Sequence, residues 1–469
     1  MRKNRLSRFG FLLGGILWAS CSNPSQAPQE PEAPTIDSPI AVMEIDTRWI
    51  PIPKNPKIMS TLKVYVNEEL IQTQPMGIES IGIGFMEDFE KTSYGLESWT
   101  ANSLDMDVSI LSLPEEEDWI LYGVHHDKSL IRHALLMDLW RDLGYYAPRY
   151  DFVELNVNGS YKGVYIFSEK IKRDNLRLDL FDLSPDENDA ASISGGYILA
   201  IDDYKGDRGE RLVGDPISFN PKESFRSNMG STQKILDYPA FGVKRGEEMY
   251  YLFEDPADDA ISEAQKNYIT NYVNDFETAL LQDSFTGNSR NYSSYINRAS
   301  FVDYFLLQEL SANPDAYRFH SFVHKDRNGP LTMGPIWMGN LSFGNGSLSQ
   351  VEGWRYAFNQ EYPENHWHVP FWWARLLEDP EFVSALKSRW KELRSNKWSD
   401  SALVERIDTH HTRLKLSGAA TRNFEQWSIF DELFTNSQLN SSTHEEEVDY
   451  LNEWIGQRLA WMDFAIEEL

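Results

Sequence analysis

From Thr61 onward, apolar and polar side chains alternate. Leu62, Val64 and Val66 fall on one face, which is the period of a half-buried strand. Ile78 to Phe85 predicts a second strand, and Trp119 to Tyr122 a short third one. A hairpin follows, in which Phe152 to Val157 enters an Asn158-Gly159 turn and Tyr161 to Phe167 returns; Asn-Gly supplies the positive φ that a two-residue turn requires. Gly195-Gly196 opens another strand, ending at Asp202. Between these strands lies one helical pattern: Leu130, Ile131, Ala134, Leu135, Leu139 and Leu143 recur at helix spacing, behind Asp127 or Ser129 as cap and ahead of Gly144 as stop. Beyond Lys205 the period changes. Residues 205–247 are rich in Gly, Ser and Asn and read as an irregular excursion, and then Ser262 and Gln265 form a capping box ahead of a stripe running from Tyr268 to Leu280. Ser300 caps a buried helix. Further helices are predicted from Asp379-Pro380 through Leu393, over 401–416 and over 445–468. The order gives an α+β class, with a β-rich part over 61–204 that holds one helix and a mostly helical part over 205–469.

The stretch from Phe301 to Asn345 combines these patterns with polar chemistry. Pro314 cannot continue the helix before it and biases Asn313 out of the α region, so Asn313 and Asp315 are presented together at a corner. A hairpin and a strand then deliver Trp337 to a Gly344-Asn345 turn.

Charge narrows the function. With 44 basic against 72 acidic residues the chain carries a formal −28, which argues against nucleic acid, because neutralising phosphates needs basic surface. The N-terminus has Arg2, Lys3, Arg5 and Arg8, an apolar run from Phe9 to Trp18, and then Ala19-Ser20-Cys21, the pattern of a signal peptide over 1–21. Cys21, the single cysteine, sits where a lipoprotein is acylated, so disulfides are excluded and the acyl chains are the expected membrane anchor. Residues 22–60 are tether and entry, with five prolines between Ser22 and Pro39. The expected location is extracytoplasmic, on an outer membrane or cell surface.

Other chemistries find little support. The histidine pairs at 125–126, 366/368 and 410–411 lack a third ligand at metal-site spacing, and G-x-S-x-G, G-x-G-x-x-G and P-loop sequences are absent. Acidic pairs are too numerous to single out two for glycoside hydrolysis. Trp354, Trp367, Trp372 and Trp373 read as core packing, with a sugar-binding cleft as the other reading.

The 313–345 stretch resembles the CotH family of spore-coat and secreted atypical kinases, whose pattern is N-x-D-x-Y, a hairpin, then G-P-x-W-D-x-D-x-x-F-G-N. Asn313, Asp315, Tyr317, Gly334, Pro335, Trp337, Phe343, Gly344 and Asn345 fit it. The family's two acids of W-D-x-D are replaced by Met338 and Asn340. Upstream, Gly84, Lys91 and Tyr94 match a family R-G-x-S-S-x-x-x-K-K-x-Y segment, while Ile83, Met86, Glu87 and Thr92 depart from it. Asp127, Lys128, Arg132 and Leu135 resemble the family's helix, and Glu169 its strand-end glutamate.

That resemblance implies a protein-kinase-like fold of two lobes and a site for ATP with Mg²⁺, or Mn²⁺ in its place. Asp315 would be base or metal neighbour with Asn313 beside it, Gly84 and Lys91 would approach phosphate, and Glu169 would hold Lys91. Arg132, otherwise a surface cation, would tie its helix to the nucleotide lobe, and Glu169 has the second reading of a partner for Lys170 or Arg173. Asn340 is a weak oxygen ligand for the ion, and Met338 is none. Both halves of the site depart from the pattern, so the expectation is a pseudokinase that binds a surface protein or glycan. The alternatives are an active Ser/Thr kinase of surface proteins and a glycan-binding module.

Overall fold

The computed structural model describes residues 35–82, 91–202, 222–233, 249–257, 260–287, 290–346, 350–365, 367–430 and 441–469. Gly84, Cys21 and the signal sequence lie outside these. Seven strands form a closed barrel: β1 (Ala41–Asp46), β2 (Ile58–Val66), β3 (Glu69–Ile81), β4 (Ser93–Ser98), β5 (Asp118–Tyr122), β6 (Tyr150–Val157) and β7 (Ser160–Glu169). Their order is β1-β2-β3-β4-β5-β7-β6, and the parallel pairing of Met43 with Leu155 on β6 closes the ring. Alternation explains the interior: Met43, Ile45, Leu62, Val64, Met76, Ile78, Leu96 and Leu121 all point inward and are fully buried. Asn158 and Gly159 take the positive φ values their hairpin needs. The barrel starts earlier than Thr61, because Ala41, Met43 and Ile45 already alternate within the stretch read as tether and entry.

After β5 the chain crosses into α1 (Arg132–Asp142), which is buried along nearly its whole length. A second sheet of five strands has the order β12-β11-β8-β10-β9, with β8 (Tyr197–Ile201), β9 (Ser224–Arg226), β10 (Tyr250–Asp255), β11 (Ser321–Lys325) and β12 (Leu331–Met333). The helices α2 (Glu263–Leu281), α3 (Arg298–Ser311), α4 (Phe358–Glu361), α5 (Trp372–Leu376), α6 (Pro380–Arg394), α7 (Asp400–Leu416), α8 (Ala419–Gln426) and α9 (His444–Glu467) complete the described chain. Helix α3 is buried from Ser300 to Ser311, which marks it as the centre of the larger core. Trp372 and Trp373 pack there too, so they are core residues.

The α+β class holds, with sheet dominating the first part and helix the second. Helix α8 returns to the barrel. Its Asn423 Oδ1 accepts the N–H of Val164 on β7 at 3.0 Å, next to Gly163, where a Cβ would lie 2.5 Å from the same oxygen. Among the described residues no helix is long and apolar enough to cross a membrane.

Candidate functional site

The polar corner forms as Pro314 requires. Helix α3 ends at Ala312 in the left-handed region, and the Asn313 side chain then works in two directions. Its Oδ1 accepts the Asp315 N–H at 3.1 Å, and its Nδ2 donates to the Met338 carbonyl at 3.1 Å, tying the corner to the segment that carries Trp337, which is irregular rather than the strand expected. Asp315 keeps 16% of its side chain exposed, with Arg318 Nη2 at 3.7 Å from its Oδ1. Burial pushes its carboxyl pKa up and the Asp202 charge adds to this, while Arg318 and His320 oppose it. His320 Nδ1 is 2.9 Å from Asp202 Oδ2 because β11 pairs with β8, Ser321 opposite Ile201, which sets the next residues side by side. Asp202 and His320 therefore join the corner from two strands far apart in sequence.

Backbone strain concentrates here. Ala312, Tyr317, His320, Met338 and Phe343 all have positive φ, a conformation unfavourable for residues with a Cβ that persists only where surroundings fix it. Those surroundings are visible. Tyr317 donates its hydroxyl to Glu309 at 3.0 Å, and the Gly339 N–H donates to His133 Nδ1 at 3.0 Å. Gly339 also lies so close to α1 that a Cβ would be 2.8 Å from that of Leu136.

The segment 123–132 is a wall common to this corner and to Lys91. On one side, Asn345 Nδ2 donates to the His126 carbonyl at 2.9 Å and to the Asn340 carbonyl at 2.6 Å. On the other, Gly123 packs against the Lys91 backbone and donates its N–H to Ser93 Oγ at 3.0 Å. Arg132 holds the wall in place. Fully buried, it donates to Asp127 at 2.7 Å, to the Phe343 carbonyl at 3.2 Å and to Glu447 of α9 at 2.8 Å. It is thus neither a surface cation nor a tie to the barrel: it binds α1 to the Gly344-Asn345 turn and the last helix. Asp127 also accepts the Arg132 N–H, doing the work expected of a cap.

Lys91 and Glu169 do not meet. Lys91, only 4% exposed, donates to Asn423 Oδ1 at 2.7 Å and lies over the Tyr165 ring, and burial alone lowers its pKa to about 7. Glu169 sits opposite Trp119 on the neighbouring strand β5 and accepts from Arg149 at 2.7 Å and Tyr146 at 3.2 Å, with Arg177 at 3.8 Å. Register gives the reason. Lys91 sits beside Gly123, just past the end of β5 and four residues on from Trp119, a separation on the order of 13 Å. Lys170 and Arg173 are not its partners either.

Asn340 is buried, and among the described residues the one cluster with metal-ligand spacing lies elsewhere, at Glu116, Glu117 and Asp118. Lys172 Nζ sits within 3.1 Å of all three of those carboxylates, which identifies the cluster as an ion-pair network.

Comparison with protein families gives a match to the CotH kinase protein family over residues 81–462. The chain belongs to that family. A search of curated proteins gives no match. In this CotH chain the residues that carried the resemblance are structural parts with stated jobs: Asn313 and Asn345 fasten the corner, Tyr317 anchors it to α3, and Gly344 admits Trp454 of α9. Sequence reading did not single out Asp202, His320, His133 or Asn423. Asp202 was visible only as a strand end, and Asn423 contacts Lys91 across 332 residues, a separation no local pattern signals.

Proposed function

We propose that this chain is an extracytoplasmic CotH-family lipoprotein in which a kinase-derived, two-lobed arrangement has lost phosphoryl transfer and serves as a binding module on the cell envelope. The observation that carries the reading is the pair Met338 and Asn340. Both are buried in the irregular segment after β12, whose Met338 carbonyl accepts from Asn313, at the positions where the family pattern supplies the carboxylates that hold a divalent ion. A thioether gives a hard cation nothing, and a neutral amide gives it a weak dipole. Lys91 points the same way. Its ammonium is spent on Asn423 and is half neutralised near neutral pH, a poor grip for phosphate.

The test is thermal stability of the tag-free chain with ATP and Mg²⁺ or Mn²⁺, since a ligand specific for the folded state raises apparent stability. The expected result is no shift in the natural sequence, and a shift in Met338→Asp with Asn340→Asp. The left-handed backbone of Met338 suits Asp better than Met. A shift in the natural sequence that disappears in Asp315→Ala, together with phosphate transfer to protein, refutes the proposal.

One observation favours the second reading, an active kinase. Asp202 shares the corner with Asp315, so two carboxylates are at hand even without the family's pair. In that case Asp202→Asn abolishes both nucleotide binding and transfer. Anchoring is tested separately by metabolic labelling with a fatty acid, which is expected to mark the chain and to fail on Cys21→Ser.

A further inference from the structure

A cavity of about 490 Å³ opens at the mouth of the barrel, within the size range of small-ligand clefts, roughly 300–1,000 Å³. It is formed by the β1–β2 and β6–β7 connections together with the facing ends of β3, β4 and β5, and no residue of 313–345 lines it. Two features set it apart. In a chain where acids outnumber bases 72 to 44, its described lining holds Lys54, Lys91 and Lys162 and no carboxylate. On its rim stands Trp49, 77% exposed.

Trp49 is not exposed for want of a core position. Arg48 and Trp49 are both left-handed, φ 55° and 63°, and the Ile50 N–H returns to the Thr47 carbonyl at 3.1 Å, the geometry of a turn that elsewhere takes Asn-Gly. The turn is pinned from below. Asn158 Oδ1 accepts the Thr47 N–H and its Nδ2 donates to Thr47 Oγ1, both at 2.9 Å, and Thr47 Oγ1 donates to the Ile50 carbonyl at 2.8 Å. A strained backbone held rigid beneath an exposed indole is an arrangement that folding alone does not reward.

We propose that the barrel mouth binds a saccharide bearing carboxylate or sulfate groups, with Trp49 as the stacking platform and Lys162 as the anion partner. An indole offers one flat apolar face to the C–H face of a pyranose. Ser80, Ser93 and Ser160 line the same space and offer hydroxyls that match those of a sugar. Lys162 on the cavity wall, within a protein of net charge −28, favours a sugar that brings negative charge. The inference supplies a ligand class for the binding module proposed above, and rests on that reading only for its use; among the described residues, Lys91 and Tyr94 of the family's phosphate-side segment also line the cavity.

The test is calorimetric titration of the full chain with three tetrasaccharides: oligogalacturonate for carboxylate, a chondroitin sulfate fragment for sulfate, and cellotetraose as the neutral control. At least one acidic sugar is expected to bind and the neutral one to fail. Affinity should fall on the order of tenfold in Trp49→Ala, and severalfold in Lys162→Gln. Trp49→Gly separates function from folding: glycine relaxes the turn, so its Tm should match or exceed that of the natural chain while sugar affinity is lost. Absence of binding to both acidic sugars overturns the inference. So does binding unchanged in Trp49→Ala, or Trp49-dependent attachment to anionic lipid vesicles without sugar binding. Titration of ATP with Mg²⁺ runs in parallel. A nucleotide signal sensitive to Asp315→Ala overturns the pseudokinase reading and leaves the sugar result standing.

Discussion

Replacing Lys91 by methionine should stabilise this protein near neutral pH, and the gain should vanish in alkali. The lysine is 4% exposed, and burial brings its pKa from 10.5 down to about 7. Below the folded pKa the side chain is charged in both states, and the folded state carries the full desolvation cost. Between about 7 and 10.5 the unfolded chain binds the extra proton, so native stability rises with pH through that window. The limiting cost is 10.5 − 7 = 3.5 pH units, or about 5 kcal/mol at about 1.4 kcal/mol per unit. Methionine has nearly the same length and removes this cost. It forfeits the donor to Asn423 and the contact with Tyr165, about 2 kcal/mol together. Asn423 Oδ1 keeps its bond from Val164, so no acceptor is orphaned. Lys91→Met is therefore expected to gain about 2 kcal/mol near pH 7, and to give back about 3 kcal/mol relative to the natural chain by about pH 10. Urea unfolding of both proteins across that range measures the difference directly, and repulsion among the many acidic groups cancels in it. A difference independent of pH would show that Lys91 stays charged in the fold.

Arg132→Met should be among the most damaging single changes. It leaves Asp127 and Glu447 as unpaired buried carboxylates, and a loss of about 3–5 kcal/mol in chemical denaturation is expected. Glu277 gives a pH effect of the opposite sense to that of Lys91. Buried among Ser227, Tyr251 and Trp372, its pKa rises from 4.5 to about 7, so its protonated form stabilises the fold fully below 4.5 and this is lost as pH climbs through about 7. Glu277→Gln should flatten a slope worth about 3 kcal/mol, read from stability measured across that window. Gly163→Ala should cost about 2–4 kcal/mol in the same assay, because the backbone there has φ +93° and the new methyl would strike Asn423.

Much of the local turn and cap chemistry was readable, although α3 is capped by Asn297, whose side chain accepts the Ser300 N–H, and not by Ser300 itself. Asn158-Gly159, the Ser262/Gln265 box and the Asp379-Pro380 helix start all stand as their residue types dictate. Barrel closure was not readable, because it depends on Ala41 to Ile45 pairing in parallel with Val153 to Val157, and strand periodicity says nothing about partners. Glu169 misled for a related reason. A glutamate at a strand end looks the same whichever end of the barrel it reaches, and register put it with Arg149 and Arg177. Asn313 and Asp315 were legible because proline makes its corner visible, while Asp202 needed the β8–β11 pairing to bring it there.

The bond from Asn423 to Lys91 sets an order on synthesis as well as on structure. All seven strands of the barrel emerge from the ribosome long before the helix that seals them, and 332 residues separate the two ends of that single contact. A shortened chain that stops before Ala419 would carry every barrel strand yet leave the Val164 amide and the Lys91 amine without the oxygen they share. The part that folds first is thus completed by the part made nearly last.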